Sequence, residues 1–309
     1  MKLALAGDTM LGRRVAERLQ SESPESLFAP EVVAAVAEAD LCLVNLECCI
    51  SARGEPFPAR VFHFRAPPWA TQALTHLGVD CVTLANNHAL DFGPDALLDT
   101  LAHLDAAGIR AIGAGSDAGR ARAPAMLEHD GFRLAVVACS DHPAEYAAAE
   151  DRPGIAYADL EGPLPDWLSD LPEADAVLVT PHWGPNMTAE PVPHVRRAAD
   201  ALLEAGATLI AGHSAHVFHG AAPRVLYDLG DFLDDYRVDP RLRNDLGLLF
   251  LVDLTGDRVE AIPLKLEFTH TRLATGDDAA WIRDRFTSAC AKLGTEVAEE
   301  DGRLVLRWR

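Results

Sequence analysis

The sequence predicts an α/β protein folded as a four-layer α/β/β/α sandwich, and three observations carry that prediction. Short apolar or β-branched runs alternate with alanine- and leucine-rich segments of helical period along most of the 309 residues. Strands that alternate with helices imply crossover units and a largely parallel sheet. From residue 224 onward the character changes to strands joined by turns, which implies a second sheet packed on the first.

Taken in order, residues 2–6 read as a buried strand that runs into a turn at Gly7-Asp8, and 41–45 as the next strand. Helical periods over 13–20 and 30–39 lie between them. Helix 68–77 leads to strand 81–85, and helix 94–107 leads to strand 111–113. Strands 134–138, 176–180 and 209–211 follow, with a helix over 192–205 before the last. The stretch 145–170, rich in Pro, Asp and Glu, reads as a surface excursion. Runs 224–229, 246–254 and 258–268 read as the later strands, with a hairpin turn at Thr255-Gly256-Asp257 and a final helix over 278–292. No repeat, low-complexity tract or linker divides the sequence. One domain over 1–309 is therefore expected, with a core over 1–255 and a C-terminal strand and helix over 256–309 completing the sandwich.

A hydrophobic share of 49% and a charged share of 24% are ordinary for a soluble globular protein. No apolar run reaches the roughly 18 residues of a membrane span. Met1-Lys2 passes straight into the first strand without the pattern of a secretory leader, so a cytoplasmic location is expected. The net charge of −20 argues against binding to nucleic acid or an anionic membrane, either of which needs a basic face. The six cysteines include no CxxC pair, and Cys42, Cys81 and Cys139 sit in apolar runs. They read as small buried hydrophobes rather than a disulfide framework.

In open α/β sheets ligands collect at the carboxyl ends of the strands, where loops converge. Polar residues recur at those ends here. The first strand ends at Asp8, the second at Asn45-Leu46-Glu47 and the third at Asn86-Asn87-His88. Later strands end at His182-Trp183-Gly184 and at Gly212-His213-Ser214-Ala215-His216. Singly, each has an ordinary structural use, as a helix cap, a satisfied histidine or a turn. Together they are oxygen and imidazole donors suited to Mn, Fe, Zn, Ni or Co, which points to a shared metal site.

Longer motifs surround these residues: Gly-Asp-Thr-Met-Leu-Gly-Arg (7–13), Val-Asn-Leu-Glu (44–47), Phe-His-Phe-Arg-Ala-Pro (62–67) and Leu-Ala-Asn-Asn-His-Ala-Leu-Asp-Phe-Gly (84–93). His-Trp-Gly (182–184), Gly-His-Ser-Ala-His-Val (212–217) and Leu-Gly-Asp-Phe-Leu-Asp-Asp-Tyr (229–236) follow. In these motifs, over at least residues 1–255, the chain resembles the CapA family, linked to poly-γ-glutamate capsule biosynthesis and related to calcineurin-like metallophosphoesterases. The resemblance implies a metallophosphoesterase-like sandwich holding one or two divalent ions. In that superfamily two ions sit about 3.5–4 Å apart, joined by a carboxylate. Asp8 matches the ligand of the first motif, and Glu47 stands where the bridging carboxylate would come from. Asn87 would be the amide ligand, with His88 beside it as proton donor to the leaving group. His182 and His213 would complete one ion, and His216 would serve the other.

Two positions depart from the wider superfamily. Met10 stands where a histidine follows the first aspartate, and His213 and His216 are spaced by three residues instead of two. A mononuclear centre is therefore an alternative to a dinuclear one. An anionic substrate would need cationic partners, for which Arg65, with His63 beside it, is the first candidate and Arg13 the second. Asp91 is expected to orient His88 or to cap the following helix. The aspartates 228, 231, 234 and 235 read as a solvated acidic loop, with support of His213 or His216 as the alternative. Asp141-His142 is a further candidate for substrate contact.

The function expected from the resemblance is a metal-dependent hydrolase for a phosphoester or other small anionic substrate, with a link to poly-γ-glutamate synthesis. The rivals are a γ-glutamyl amide hydrolase or transferase and a non-catalytic polyglutamate-binding subunit. A membrane-located capsule subunit would be expected to carry an N-terminal anchor, a pattern this sequence does not show.

Overall fold

The computed structural model describes every residue except Ala59 and Arg309. Its principal strands are β1 (Lys2–Thr9), β2 (Leu41–Leu46), β3 (Cys81–Thr83), β4 (Arg110–Ile112), β5 (Ala125–His129), β6 (Phe132–Ser140) and β7 (Ala176–His182). They continue with β8 (Leu209–Ala211), β9 (Val225–Leu226), β10 (Asp231–Leu233), β11 (Leu246–Asp253), β12 (Arg258–Leu266) and β13 (Arg303–Arg307). The principal helices are α1 (Arg13–Ser21), α2 (Pro30–Val36), α3 (Thr71–Leu77), α4 (Gly93–Ala106), α5 (Pro193–Glu204) and α6 (Gly276–Ala291). None is long and apolar enough to cross a membrane.

Two large sheets face each other. The first runs in the order Ala298–Glu300, β13, β12, β11, β1, β2, β3, β4, with β10 also paired to β1 and Thr271–Leu273 to β12. Within it β1 to β4 are parallel, while β11 and β12 are antiparallel additions. The second runs Ala221–Ala222, β9, β8, β7, β6, β5, and is parallel from β6 to β9.

Strand alternation builds the layers. Leu3, Leu5 and Leu43 of the first sheet meet Leu134, Val136, Ala138, Leu178 and Leu209 of the second in one buried core. The intervening residues Ala4, Ala6, Cys42 and Val44 turn outward onto Val15, Val32, Leu74 and Leu97 of α1 to α4. On the far side Val137, Val177, Val179 and Ile210 meet Val195, Ala199 and Leu202 of α5. Strands buried on both faces read as unbroken apolar runs, which is why β1, β2, β6 and β7 stand out in the sequence. The result is the expected four-layer α/β/β/α sandwich. The six cysteines are all buried and unbridged.

The division between the sheets falls elsewhere than the sequence predicts. β11 and β12, expected to found a second sheet, extend the first, with Leu3 opposite Val252 and Leu5 opposite Phe250. The second sheet comes from the middle of the chain, through β6, β7 and β8. The reason is physical: an apolar run carries its alternation but not the identity of the strand it pairs with. α6 sends Ile282, Phe286 and Cys290 into the core between the sheets instead of adding to an outer layer. The excursion at 145–170 is also only partly superficial, since Tyr146 is 1% exposed.

Where β1 leaves the sheet its backbone passes tightly under a loop. The Asp8 amide donates to the Gly230 carbonyl at 2.9 Å, and a Cβ on Gly7 would lie 1.8 Å from that same oxygen. Gly78 is different: it has φ +83° with nothing within 4 Å of a Cβ. Gly7→Ala is therefore expected to cost at least about 3 kcal/mol, and Gly78→Ala only about 1 kcal/mol. Urea denaturation midpoints of the two variants check this ranking.

Candidate metal centre

The carboxyl ends of both sheets meet over one buried cleft. From the first sheet come Asp8 at the end of β1, Glu47 after β2, and Asn87 and His88 after β3. From the second come His182 at the end of β7, then His213 and His216 after β8. All seven are under 9% exposed.

Donor atoms of Asp8, Glu47 and His216 lie within 4.8 Å of one another. His213 Nδ1 stands 3.4 Å from Asp8 Oδ1, and His216 Nδ1 stands 3.3 Å from Asp8 Oδ2. Both histidines therefore reach Asp8 despite their three-residue spacing. The loop makes this possible with positive φ at Ser214 (115°) and His216 (59°), a strained conformation typical of functional loops. Ser214 Oγ donates to the Gly184 carbonyl at 2.9 Å and helps hold the turn. His182 lies beside His213 through a parallel bridge between their strands. Met10 takes no part; its sulfur accepts the Gly12 amide at 3.0 Å.

Among the described residues, no hydrogen bond reaches Asp8 Oδ2, Glu47 Oε1, Asn87 Oδ1, His182 Nε2 or His213 Nδ1, although all five atoms are buried. A buried polar atom without a partner costs about 1–3 kcal/mol, more when charged. Five such atoms on separate loops around one cleft are explained together by a cation. Oxygen and imidazole donors of this kind suit a divalent transition metal, so the residues present fit the expected group.

The electrostatics agree. Burial and the neighbouring Asp8 charge push the Glu47 carboxyl well above its usual range. Burial would also raise Asp8, but His213 and His216 overcome it and hold that carboxyl well below. Burial disfavours a charged His216, yet Asp231 and Glu47 outweigh it and raise the imidazole well above its usual value. His182 is driven well below by burial and then by His142, whose ring centroid is 5.1 Å away. It is thus held neutral, the form that ligates a metal.

Several supporting residues carried little or no signal in the sequence. Asn45 Nδ2 donates to Asp8 Oδ1 at 2.7 Å, and its own oxygen accepts from Asn86 at 2.9 Å. Asn86 also accepts the His88 amide at 3.0 Å, so the two amides tie three loops together. Asp231 is 2.8 Å from His216 Nδ1, and Tyr236 donates to Glu47 Oε2 at 3.2 Å. The acidic loop is therefore not solvated: Asp228, Asp231, Asp234 and Asp235 are all buried.

Asp91 orients His88 and does not cap α4. Its Oδ2 lies 2.6 Å from His88 Nδ1 and accepts the Phe64 amide at 2.7 Å, while Tyr146 donates to Oδ1 at 3.1 Å. The arginine candidates separate. Arg13 reaches the rim, with its guanidinium 5.4 Å from the Phe64 ring centroid and 3.0 Å from Asp235. Arg65 and His63 lie outside the cleft. Arg65 pairs with Cys49 in a short strand that turns Phe64 and Ala66 inward, so alternation sends Arg65 out onto the Phe92 ring, 4.0 Å from its centroid. His63 Nε2 is spent on the Phe57 carbonyl at 2.7 Å. Asp141 lies between His142 and His194 beside His182, at the edge of the cleft.

The sequence pattern of the family described as bacterial capsule synthesis protein PGA_cap matches residues 2–236. The chain belongs to that family. A relative from Mycobacterium tuberculosis, described as a probable polyglutamine synthesis accessory protein, is 32% identical over 86% of this chain and 76% of its own length. The PGA biosynthesis protein CapA of Bacillus subtilis is 27% identical over 76% of this chain and 63% of its own. Among solved structures, a phosphatase of Mycoplasma pneumoniae aligns over 88% of this chain and 90% of its own, at 12% identity and a TM-score of 0.48.

The raised Glu47 and His216 make metal binding a proton-releasing event. Both groups hold their protons to higher pH than they ordinarily would, and a cation must displace those protons. Apparent affinity for Mn²⁺ or Zn²⁺ should therefore strengthen as pH rises and weaken as it falls. Titration calorimetry in buffers of different ionisation enthalpy checks this. A heat independent of buffer would contradict it, and elemental analysis of Asp8→Asn and His216→Ala should show loss of bound metal.

Proposed function

We propose that this PGA_cap chain is a metal-dependent hydrolase acting on a phosphoester or a related small anionic substrate. The observation that carries the reading is the buried His88–Asp91 pair set beside the donor atoms, at 2.6 Å. A metal site serving structure alone has no use for an oriented proton donor next to it.

Asp8, Glu47, Asn87, His182, His213 and His216 would hold the ions, one or two in number. Bound there, divalent ions would supply Lewis-acid polarisation of the reacting centre and a readily deprotonated water. The chain's own residues do the rest. Asp91 fixes the proton of His88 on Nδ1, which leaves Nε2 to act on the leaving group. Burial lowers the His88 pKa against the opposing pull of Asp91, so a proton placed there is released easily. Tyr236 and Asn45 hold the carboxylates of Glu47 and Asp8 in place. Phe64, with its ring centroid 4.0 Å from that of His88, shields the pair from water.

The names of the relatives in polyglutamine and PGA synthesis support a substrate related to glutamyl polymers. The same constellation would then protonate a leaving nitrogen, in γ-glutamyl amide hydrolysis or transfer. Assay with Mn²⁺ against p-nitrophenyl phosphate, bis-p-nitrophenyl phosphate and γ-glutamyl p-nitroanilide separates these cases. His88→Asn should lower kcat by about 10²–10⁴-fold with metal content unchanged. A metal-loaded protein that turns over none of them would instead be a non-catalytic binding subunit.

A further inference from the structure

The chain on either side of Ala59, at 54–58 and 60–64, packs on the His88 side of the cleft. Each stretch is fastened to Asp91: the Phe57 amide donates to the Asp91 carbonyl at 2.8 Å, and the Phe64 amide donates to its side chain at 2.7 Å. The contact from His63 to the Phe57 carbonyl links the two stretches. Arg60 is half-buried and turned toward the protein.

The Arg60 guanidinium lies 5.1 Å from the Tyr146 ring centroid, and Nη2 donates to the Asn87 carbonyl at 2.6 Å. It therefore sits one residue from the proton donor. Among the described residues its other donors meet no acceptor, and it forms no ion pair. The chain carries 47 acidic against 27 basic residues, so partners are not scarce. Arg13, across Phe64, is already committed to Asp235. Arg60 is the cation left over, held by stacking and one hydrogen bond with its remaining fork unused. After burial, its charge also helps keep His88 low.

We infer that Arg60 binds a negative charge on the leaving group, so that the preferred substrates carry an anion on each side of the scissile bond. The inference rests on the hydrolase reading above. It follows from position: the leaving group must lie on the side of His88, which protonates it, and Arg60 adjoins that side. A planar guanidinium takes a carboxylate or a phosphate in the same two-pronged way.

The test is calorimetric, on the Mn²⁺-loaded protein, with phenylphosphonate, 4-carboxyphenylphosphonate and 1,4-phenylenediphosphonate. The ring stands for the leaving group, and the second acid is a carboxylate in one probe and a phosphonate in the other. The wild type should bind the better of the two diacids at least about tenfold more tightly than phenylphosphonate. Arg60→Gln should bring that ratio close to one, Arg60→Lys should keep part of it, and Arg65→Gln should leave it intact. Thermal melting and metal content report whether each variant is folded. A wild-type ratio near one, or a ratio retained in Arg60→Gln, overturns the inference. If p-nitrophenyl phosphate is hydrolysed while the ratio is near one, only this inference falls. If the wild type neither hydrolyses phosphoesters nor binds phenylphosphonate, the hydrolase reading falls with it.

Discussion

The structure depends on how it tolerates carboxylates inside a core. Asp8, Glu47, Asp228 and Asp231 are each 1% exposed or less, and His216 is the imidazole among them pushed toward its charged form. An unpaired buried charge costs several kcal/mol, so each group needs relief. Asp228 obtains it from two backbone amides, those of Ala215 and Gly230, both at 2.8 Å. Asp231 shares the His216 proton. Glu47 is pushed toward its neutral form by burial and by Asp8. Asp8 keeps its charge through His213 and His216, yet one of its oxygens remains without a hydrogen bond. A cation would relieve all of these at once.

The two-sheet architecture is what brings the donors together. The first sheet supplies the carboxylates, the amide of Asn87 and the imidazole of His88, while the second supplies His182, His213 and His216. Neither sheet holds the set alone. Packing of Leu3 and Leu5 against Val136 and Leu178 therefore positions the site as directly as any hydrogen bond does. Gly7 and Gly230 permit the closest backbone approach in this region, and they bring Asp8 into register with Asp231. Stability of the core and geometry of the site are thus one problem.

Much of the site was legible in the sequence because parallel strands buried on both faces announce their own ends. Asp8, Glu47, Asn87, His88, His182, His213 and His216 could be placed from that rule alone. Sheet membership could not, since β11 is the same apolar run whichever strand it joins. The pairing of Asn45 with Asp8, and Tyr146 altogether, were hidden for a related reason: the partners lie 37 and 55 residues away. The acidic loop misled in its first reading because aspartates near glycine and tyrosine look solvated; the alternative, support of His216, is the one that Asp231 fulfils. Arg65 could have been read better. It sits between Phe64 and Ala66, and two inward neighbours leave an extended residue pointing out.

The contrast between two buried aspartates carries the functional reading furthest. Asp91 receives donors from His88, Phe64 and Tyr146, so its lone pairs are occupied by protein. Such a carboxylate can fix an imidazole but has little left for a metal. Asp8 receives one hydrogen bond, from Asn45, and turns its other oxygen toward His216 without one. Such a carboxylate is prepared for a ligand. Two residues of the same type, both with their side chains at most 1% exposed, are thereby given different tasks by their donors alone. The same accounting separates Arg13, spent on Asp235, from Arg60, which is not.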